Sequence, residues 1–256
     1  MLFEAHRGVS TDYPENTLAA FRAAADLGYD MVELDPGYTA DGVICVLHDG
    51  TLNRTCRLGN GDEIPQKGLS LSSLSFAEAR QYDAGIWKGA QFRGEKIPAF
   101  EEVLAFSRTS GVPLKIDNKV FRFPAEMREK LYALVKESGL ASGAVGFTAA
   151  TVEAVREIAS RFPENPVHYD GPVTDESLAA VRAAAPMNPL TVWLPLKTPL
   201  TTWVTVAFAS KELAEKVHAA KATLGIWILH DDDELAAATA FGADIIETTG
   251  GVKPRR

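Results

Sequence analysis

The sequence predicts an α/β protein closed as a barrel of eight strand–helix units. Three observations carry this. Short apolar runs of strand character alternate with amphipathic helical stretches along the chain. Eight such units can be read, the number a parallel barrel requires. The 256 residues, 46% of them apolar, match the usual size of one such barrel and supply a sizeable core.

In order, strands are expected over 2–6, 31–35, 113–117, 144–147, 167–169, 192–194, 224–229 and 244–247. The run 204–208 rivals 192–194 as the sixth strand. The first strand is apolar and ends at His6-Arg7-Gly8, where glycine permits backbone angles closed to other residues. A helix follows, with Leu18, Phe21, Ala25 and Leu27 on one face and Gly28 ending it. Met31 to Asp35 is the second strand, so Glu33 and Asp35 point the same way. Asp41-Gly42 then marks a hairpin turn between Gly37-Tyr38-Thr39 and Val43–Leu47, whose second arm delivers His48-Asp49. Residues 50–96 are rich in polar and glycine stretches, with one short helical run at 75–82, and are too long for a simple loop. A helix starts at Phe100, with Glu101 and Glu102 favourable to its dipole. Later helices are expected over 150–161, 175–184, 211–221 and 232–241.

The segment from His6 to Asp49 concentrates the chemistry. Two carboxylates on one strand face with no nearby base repel each other, and a hard cation such as Mg²⁺ or Ca²⁺ reconciles them. Histidines serve as acid or base near neutral pH. An arginine and a metal ion clamp phosphoryl oxygens. Two histidines, one arginine and a carboxylate pair are therefore the parts needed to hydrolyse a phosphodiester. Each short string alone is weak evidence, and their ordered combination is much stronger.

The combination resembles the glycerophosphodiester phosphodiesterase family, whose pattern runs HRG, PENT, ELD and then a TxDG segment ending in HD. Here these are His6-Arg7-Gly8, Pro14-Glu15-Asn16-Thr17, Glu33-Leu34-Asp35 and Thr39 through Asp49. The resemblance implies a (β/α)₈ TIM barrel with a small insertion after the second strand region, residues 50–96, capping the barrel mouth. It implies that His6 and His48 are the catalytic acid/base pair, and that Glu33 and Asp35 bind the metal. The family's Glu-x-Lys becomes Asp117 and Lys119, read as one strand face, with Asp117 the third metal ligand and Lys119 a phosphate contact beside Arg7. The shorter Asp117 requires the ion to move or a water to bridge. For glycerophosphodiesters, the family's route is attack by the neighbouring glycerol hydroxyl, followed by opening of a cyclic phosphate by water.

Departures from the family cluster in the second half. Gly146-Phe147 replaces Ser-Phe, Trp227-Ile228-Leu229-His230 replaces Trp-Thr-Val-Asn, and Glu247-Thr248-Thr249 replaces a Thr-Asp pair. Trp227 is expected to wall the substrate pocket. These changes, at the face where barrel active sites lie, point to a substrate other than the simple glycerophosphodiesters. Lys115 is ambiguous. Trp87, Lys88, Phe92 and Arg93 are expected to pack the insertion rather than read substrate. His218 is expected away from the site, and His168 to be a satisfied core histidine.

The formal net charge of −8 argues against nucleic acid as a partner. No apolar run approaches a membrane span, and the N-terminus MLFEAHRG lacks a leader's pattern, so a cytoplasmic protein with a small-molecule partner is expected. Cys45 and Cys56 provide no disulfide framework, and Cys45 reads as a small core residue. The competing readings are a lysophospholipase D or sphingomyelinase D on the same fold, and a non-catalytic phosphoglycerol-binding module.

Overall fold

A computed structural model describes residues 1–197 and 208–254. Eight parallel strands close a barrel: β1 (Leu2–Ala5), β2 (Met31–Leu34), β5 (Leu114–Ile116), β6 (Val145–Ala149), β7 (Val167–Tyr169), β8 (Leu190–Pro195), β9 (Thr223–Leu229) and β10 (Ile245–Thr248). They neighbour one another in chain order, and β10 closes against β1. Residues 192–194 thus belong to the sixth barrel strand; the rival segment falls largely on residues outside those described. The remaining strands, β3 (Pro36–Tyr38) and β4 (Ile44–Val46), form the antiparallel hairpin expected from Asp41-Gly42.

The helices are α1 (Leu18–Asp26), α2 (Phe76–Ala79), α3 (Phe100–Ser110), α4 (Ala125–Glu137), α5 (Val152–Arg161), α6 (Asp175–Ala184), α7 (Lys211–Ala219) and α8 (Asp232–Phe241). Side-chain oxygens of Thr17, Thr151, Thr174, Ser210 and Asp231 each accept a backbone N–H at a helix start, the arrangement that satisfies orphan donors there. Two local expectations need correction. Helix α4 was not anticipated; it turns Leu131, Tyr132 and Val135 into the core. In α1 the buried positions are Ala20, Phe21, Ala23 and Ala24, with Leu18, Ala25 and Leu27 only partly covered. Small alanines let α1 approach the barrel closely, which a scan for large apolar side chains overlooks.

Residues 50–96 gather around a small core of their own, with Leu52, Cys56, Ile64, Leu69 and Leu71 packed on Cys45 and Leu47 of the hairpin arm. Both cysteines are buried as free thiols. Lys88 and Phe92 tie this region to the loop after β1, while Trp87 and Arg93 brace it from within. Lys88 Nζ donates to Ser10 O at 2.8 Å, Arg93 to Gly59 O at 2.8 Å, and Phe92 packs on Tyr13. Among the described residues, no helix is long and apolar enough to cross a membrane.

The barrel interior is polar in one layer. Glu4 lies in register with Glu247, and Lys115 reaches both carboxylates from across the barrel, the second at 2.8 Å. Lys115 Nζ also sits 3.8 Å from the centre of the Trp193 ring. Trp193 Nε1 donates to His168 Nδ1 at 3.1 Å. Two glycines make this layer possible. A Cβ on Gly146 would stand 2.4 Å from His168 Nε2, and one on Gly225 would stand 2.3 Å from the Trp193 ring. His168 is therefore a core residue whose partner is an indole.

Candidate active site

The ends of β1, β2, β4 and β5 carry the near wall of a cavity of about 610 Å³ at the barrel mouth. His6, Arg7, Glu33, Asp35, His48, Asp117 and Lys119 all line it, and Trp227 lines the opposite side. All eight residues singled out from the sequence thus share one cavity.

The turn after β1 aims the first pair. Arg7 and Gly8 adopt left-handed backbone angles, φ 58° and 78°. Gly8 is required on two counts, because a Cβ there would also lie 2.7 Å from that of Ala20. The Arg7 amide donates to Glu33 Oε2 at 2.9 Å, and its Nε lies 3.1 Å from Asp35 Oδ2. The PENT segment is a clamp on the same group. Asn16 Nδ2 donates to Asp35 Oδ2 at 2.8 Å while its Oδ1 accepts from the Asp35 amide at 3.2 Å. Glu15 accepts from Arg7 at 3.1 Å and from Arg54 at 2.7 Å.

Asp117 and Lys119 do not share a strand face as expected. Strand β5 ends at Ile116, and Asp117 instead caps a 3₁₀ turn over Asn118–Arg122 by accepting from the Lys119 amide at 3.0 Å. The turn still brings both groups to the site. Lys119 Nζ donates to Asp35 Oδ1 and to His48 O, both at 2.7 Å. The carboxylate pair therefore does have bases beside it: Arg7 and Lys119 both serve Asp35.

Carboxylate oxygens of Glu33, Asp35 and Asp117 lie within 4.8 Å of one another. Their charge states differ sharply. Burial works against the Asp35 carboxylate, but Lys119, Arg7 and His48 hold its pKa well below the usual range. Burial, then Asp35 and Glu247, push Glu33 well above it, and burial and Asp35 raise Asp117. Hard oxygen donors crowded this closely, two of them held back from ionising by burial and by neighbouring carboxylates, fit a divalent cation.

The histidines sit in unlike surroundings. Burial pushes the His6 imidazole down to about 4, opposed chiefly by Glu247. Its Nε2 lies 3.6 Å from Glu247 Oε1 and 4.0 Å from Glu33 Oε2. His48 is half-buried, and its Nδ1 meets Asp49 Oδ1 at 2.6 Å; Arg54 donates to the other Asp49 oxygen at 2.7 Å. A chain from His48 through Asp49 and Arg54 to Glu15 thus ties the hairpin end to the PENT clamp. Sequence reasoning missed Arg54 and Glu15 as parts of this chain, although both lie in stretches it had marked.

It also left Lys115 open and gave Glu247 no partner. Lys115 stays charged: burial opposes this, and Glu247 and Glu4 overcome it. Burial drives Glu4 toward neutrality, and Lys115 and His6 keep Glu247 ionised against its own burial. His218, expected away from the site, pairs with Asp244 at 2.9 Å on the outside of the barrel.

A model of the glycerophosphoryl diester phosphodiesterase family matches residues 6–248. The chain belongs to this family. It is 38% identical over 135 residues to a glycerophosphodiester phosphodiesterase of Caldanaerobacter subterraneus subsp. tengcongensis, covering 52% of this chain and 51% of that protein. Over 131 residues it is 37% identical to human glycerophosphodiester phosphodiesterase 1, covering 50% and 37% of the two chains. The chain spans about half the length of the first of these curated relatives, and less of the second. Among solved structures, a phosphodiesterase of Oleispira antarctica in complex with the product sn-glycerol-3-phosphate superposes with a TM-score of 0.77 at 21% identity, covering 98% of this chain and 94% of that one. The glycerophosphodiester phosphodiesterase of Thermotoga maritima gives 0.67 at 17% identity, covering 98% and 95%. These structures share the barrel.

Proposed function

We propose that the chain is a metal-dependent phosphodiester hydrolase that cleaves glycerophosphodiesters, or a related small phosphodiester, to glycerol phosphate and an alcohol. The reading rests on one observation above all: two histidines in unlike environments line one cavity with a carboxylate triad and two cations. Binding alone does not call for a pair of acid/base groups. The named activities of the relatives and the product in the Oleispira structure support the same substrate class.

His6, kept neutral by burial, is assigned as the group that takes the proton from the attacking hydroxyl, and Glu247 faces the imidazolium that results. His48 is assigned as the group that protonates the leaving oxygen. Asp49 holds its Nδ1, which leaves Nε2 to work. Arg7 and Lys119 are assigned to neutralise phosphoryl charge, and Lys119, bonded to Asp35 and to the His48 carbonyl, is taken to mark the phosphoryl position. A divalent cation held by Glu33, Asp35 and Asp117 would supply Lewis-acid polarisation of a phosphoryl oxygen. Trp227, half-buried across the cavity, walls the substrate.

The test is a panel of phosphodiesters assayed with Mg²⁺, Ca²⁺ and Mn²⁺ against a chelated control. Turnover that depends on the added ion is expected. Unchanged turnover under chelation, or no turnover of any diester, would overturn the reading.

A further inference from the structure

A second cavity, of about 300 Å³, adjoins the first. His48 and Lys119 line both cavities, so together they form the partition between them. A phosphodiester has two arms that meet at phosphorus. With the phosphoryl group held at the partition, one arm lies in the larger cavity and the other enters the smaller one. This argument rests on the hydrolase reading for the position of the phosphoryl group.

The smaller cavity has a distinct chemistry. Arg122 lines it, and among the described residues the Arg122 guanidinium has no ion pair and no hydrogen bond. The acid in the same wall, Asp49, is already taken by His48 and Arg54. Ser70 and Ser72 add hydroxyls, 3.0 Å apart, from the insertion. Arg122 and Lys119 belong to the same 3₁₀ turn, and positions three apart in such a turn eclipse one another, roughly 6 Å along its axis. Two cations are thus displayed in series, the first at the phosphoryl position and the second one turn further into the small cavity. The size accommodates a glycerol- or serine-sized group.

We infer that the small cavity selects diesters whose alcohol moiety carries an anionic group of its own, a carboxylate or a second phosphoryl group, and that Arg122 is the residue that reads it. A neutral or cationic alcohol leaves the guanidinium without a partner. An anionic one gains a charge-assisted hydrogen bond.

Two matched pairs test this. Glycerophosphoserine differs from glycerophosphoethanolamine by the carboxylate alone, and phosphorylated glycerophosphoglycerol differs from glycerophosphoglycerol by the second phosphate. The wild-type chain should show kcat/KM about tenfold higher for the anionic member of at least one pair, the size of one charge-assisted hydrogen bond. The pair that responds identifies the group. Arg122→Gln, a change at an exposed position, should lower kcat/KM on the anionic member about tenfold more than on its neutral counterpart. Equal rates within both pairs, or an equal loss across all four substrates in Arg122→Gln, would overturn the inference while leaving the hydrolase reading intact. Calorimetric binding of the same four diesters to chelated protein separates the two claims. Anionic preference in binding that Arg122→Gln removes, with no turnover under any metal, would sink the hydrolase reading and keep this one. Absence of preference in binding and in turnover sinks this one.

Discussion

One wall of the large cavity, from residues 6–49 and 117–119, is held by charge. Asp35 receives Arg7, Asn16 and Lys119, and His48 is tied through Asp49 and Arg54 to Glu15. The opposite side, from β6 to β10, is held by volume. Gly146 makes room for His168 and Gly225 for Trp193, while Lys115 and His6, both facing Glu247, and Asn118, donating to Asp170, link the two sides. The charged wall follows the family's motif residues closely, while the packed side is where the chain departs from them. Ionic constellations tolerate little substitution because each member satisfies a buried partner. Packed layers accept new side chains provided that total volume is kept.

The comparison breaks most visibly in activity. His6→Ala and His48→Ala should each lower kcat by at least ~10²-fold with little loss of fold stability. Turnover assays and denaturation of the same preparations check both halves, and full activity in both variants would show that the charged wall is not catalytic.

The packed side should answer in stability instead. Gly146→Ala places a methyl against His168 and should cost about 1–3 kcal/mol in urea denaturation. Adding His168→Ala should recover part of that loss, and a non-additive double-mutant cycle would locate the clash. A smaller change is expected at the border. Trp227→Ala should raise KM by up to ~10-fold with less effect on kcat, the signature of lost ground-state contact.

The smallest effect is a pH dependence. Burial, then Lys115, hold the His168 pKa well below its ordinary 6.5, so the folded chain keeps this ring neutral. Below pH 6.5 the unfolded chain binds a proton there that the folded chain refuses, so the contribution of His168 to stability is complete above 6.5 and declines as pH falls. The stability of wild type relative to His168→Gln should therefore drop between pH 7.5 and 5. A difference that is flat or rises toward low pH would show that the ring is protonated in the fold.

Legibility followed the same division. The eight barrel strands and most helices could be read because glycines and apolar periodicity act over a few residues. The residues that line the large cavity could be read because HRG, ELD and HD place chemistry at strand ends. The turn at Asp117 escaped, since whether Leu114–Ile116 extends one residue further depends on what Asp117 can cap. The Glu4–Lys115–Glu247 layer was invisible because its members lie 111 and 132 residues apart.

By itself the sequence determined the strand–helix alternation, the helix starts at Thr17, Thr151, Thr174, Ser210 and Asp231, and the presence of two histidines with acidic company. Those properties arise from neighbouring atoms along the chain. Only the closed barrel decided that Asp35 is ionised while Glu33 resists ionisation, that Lys115 serves two acids, and that His48 and Lys119 divide two cavities. Burial and Coulomb energy depend on distance through space, and that distance exists only once β10 has met β1.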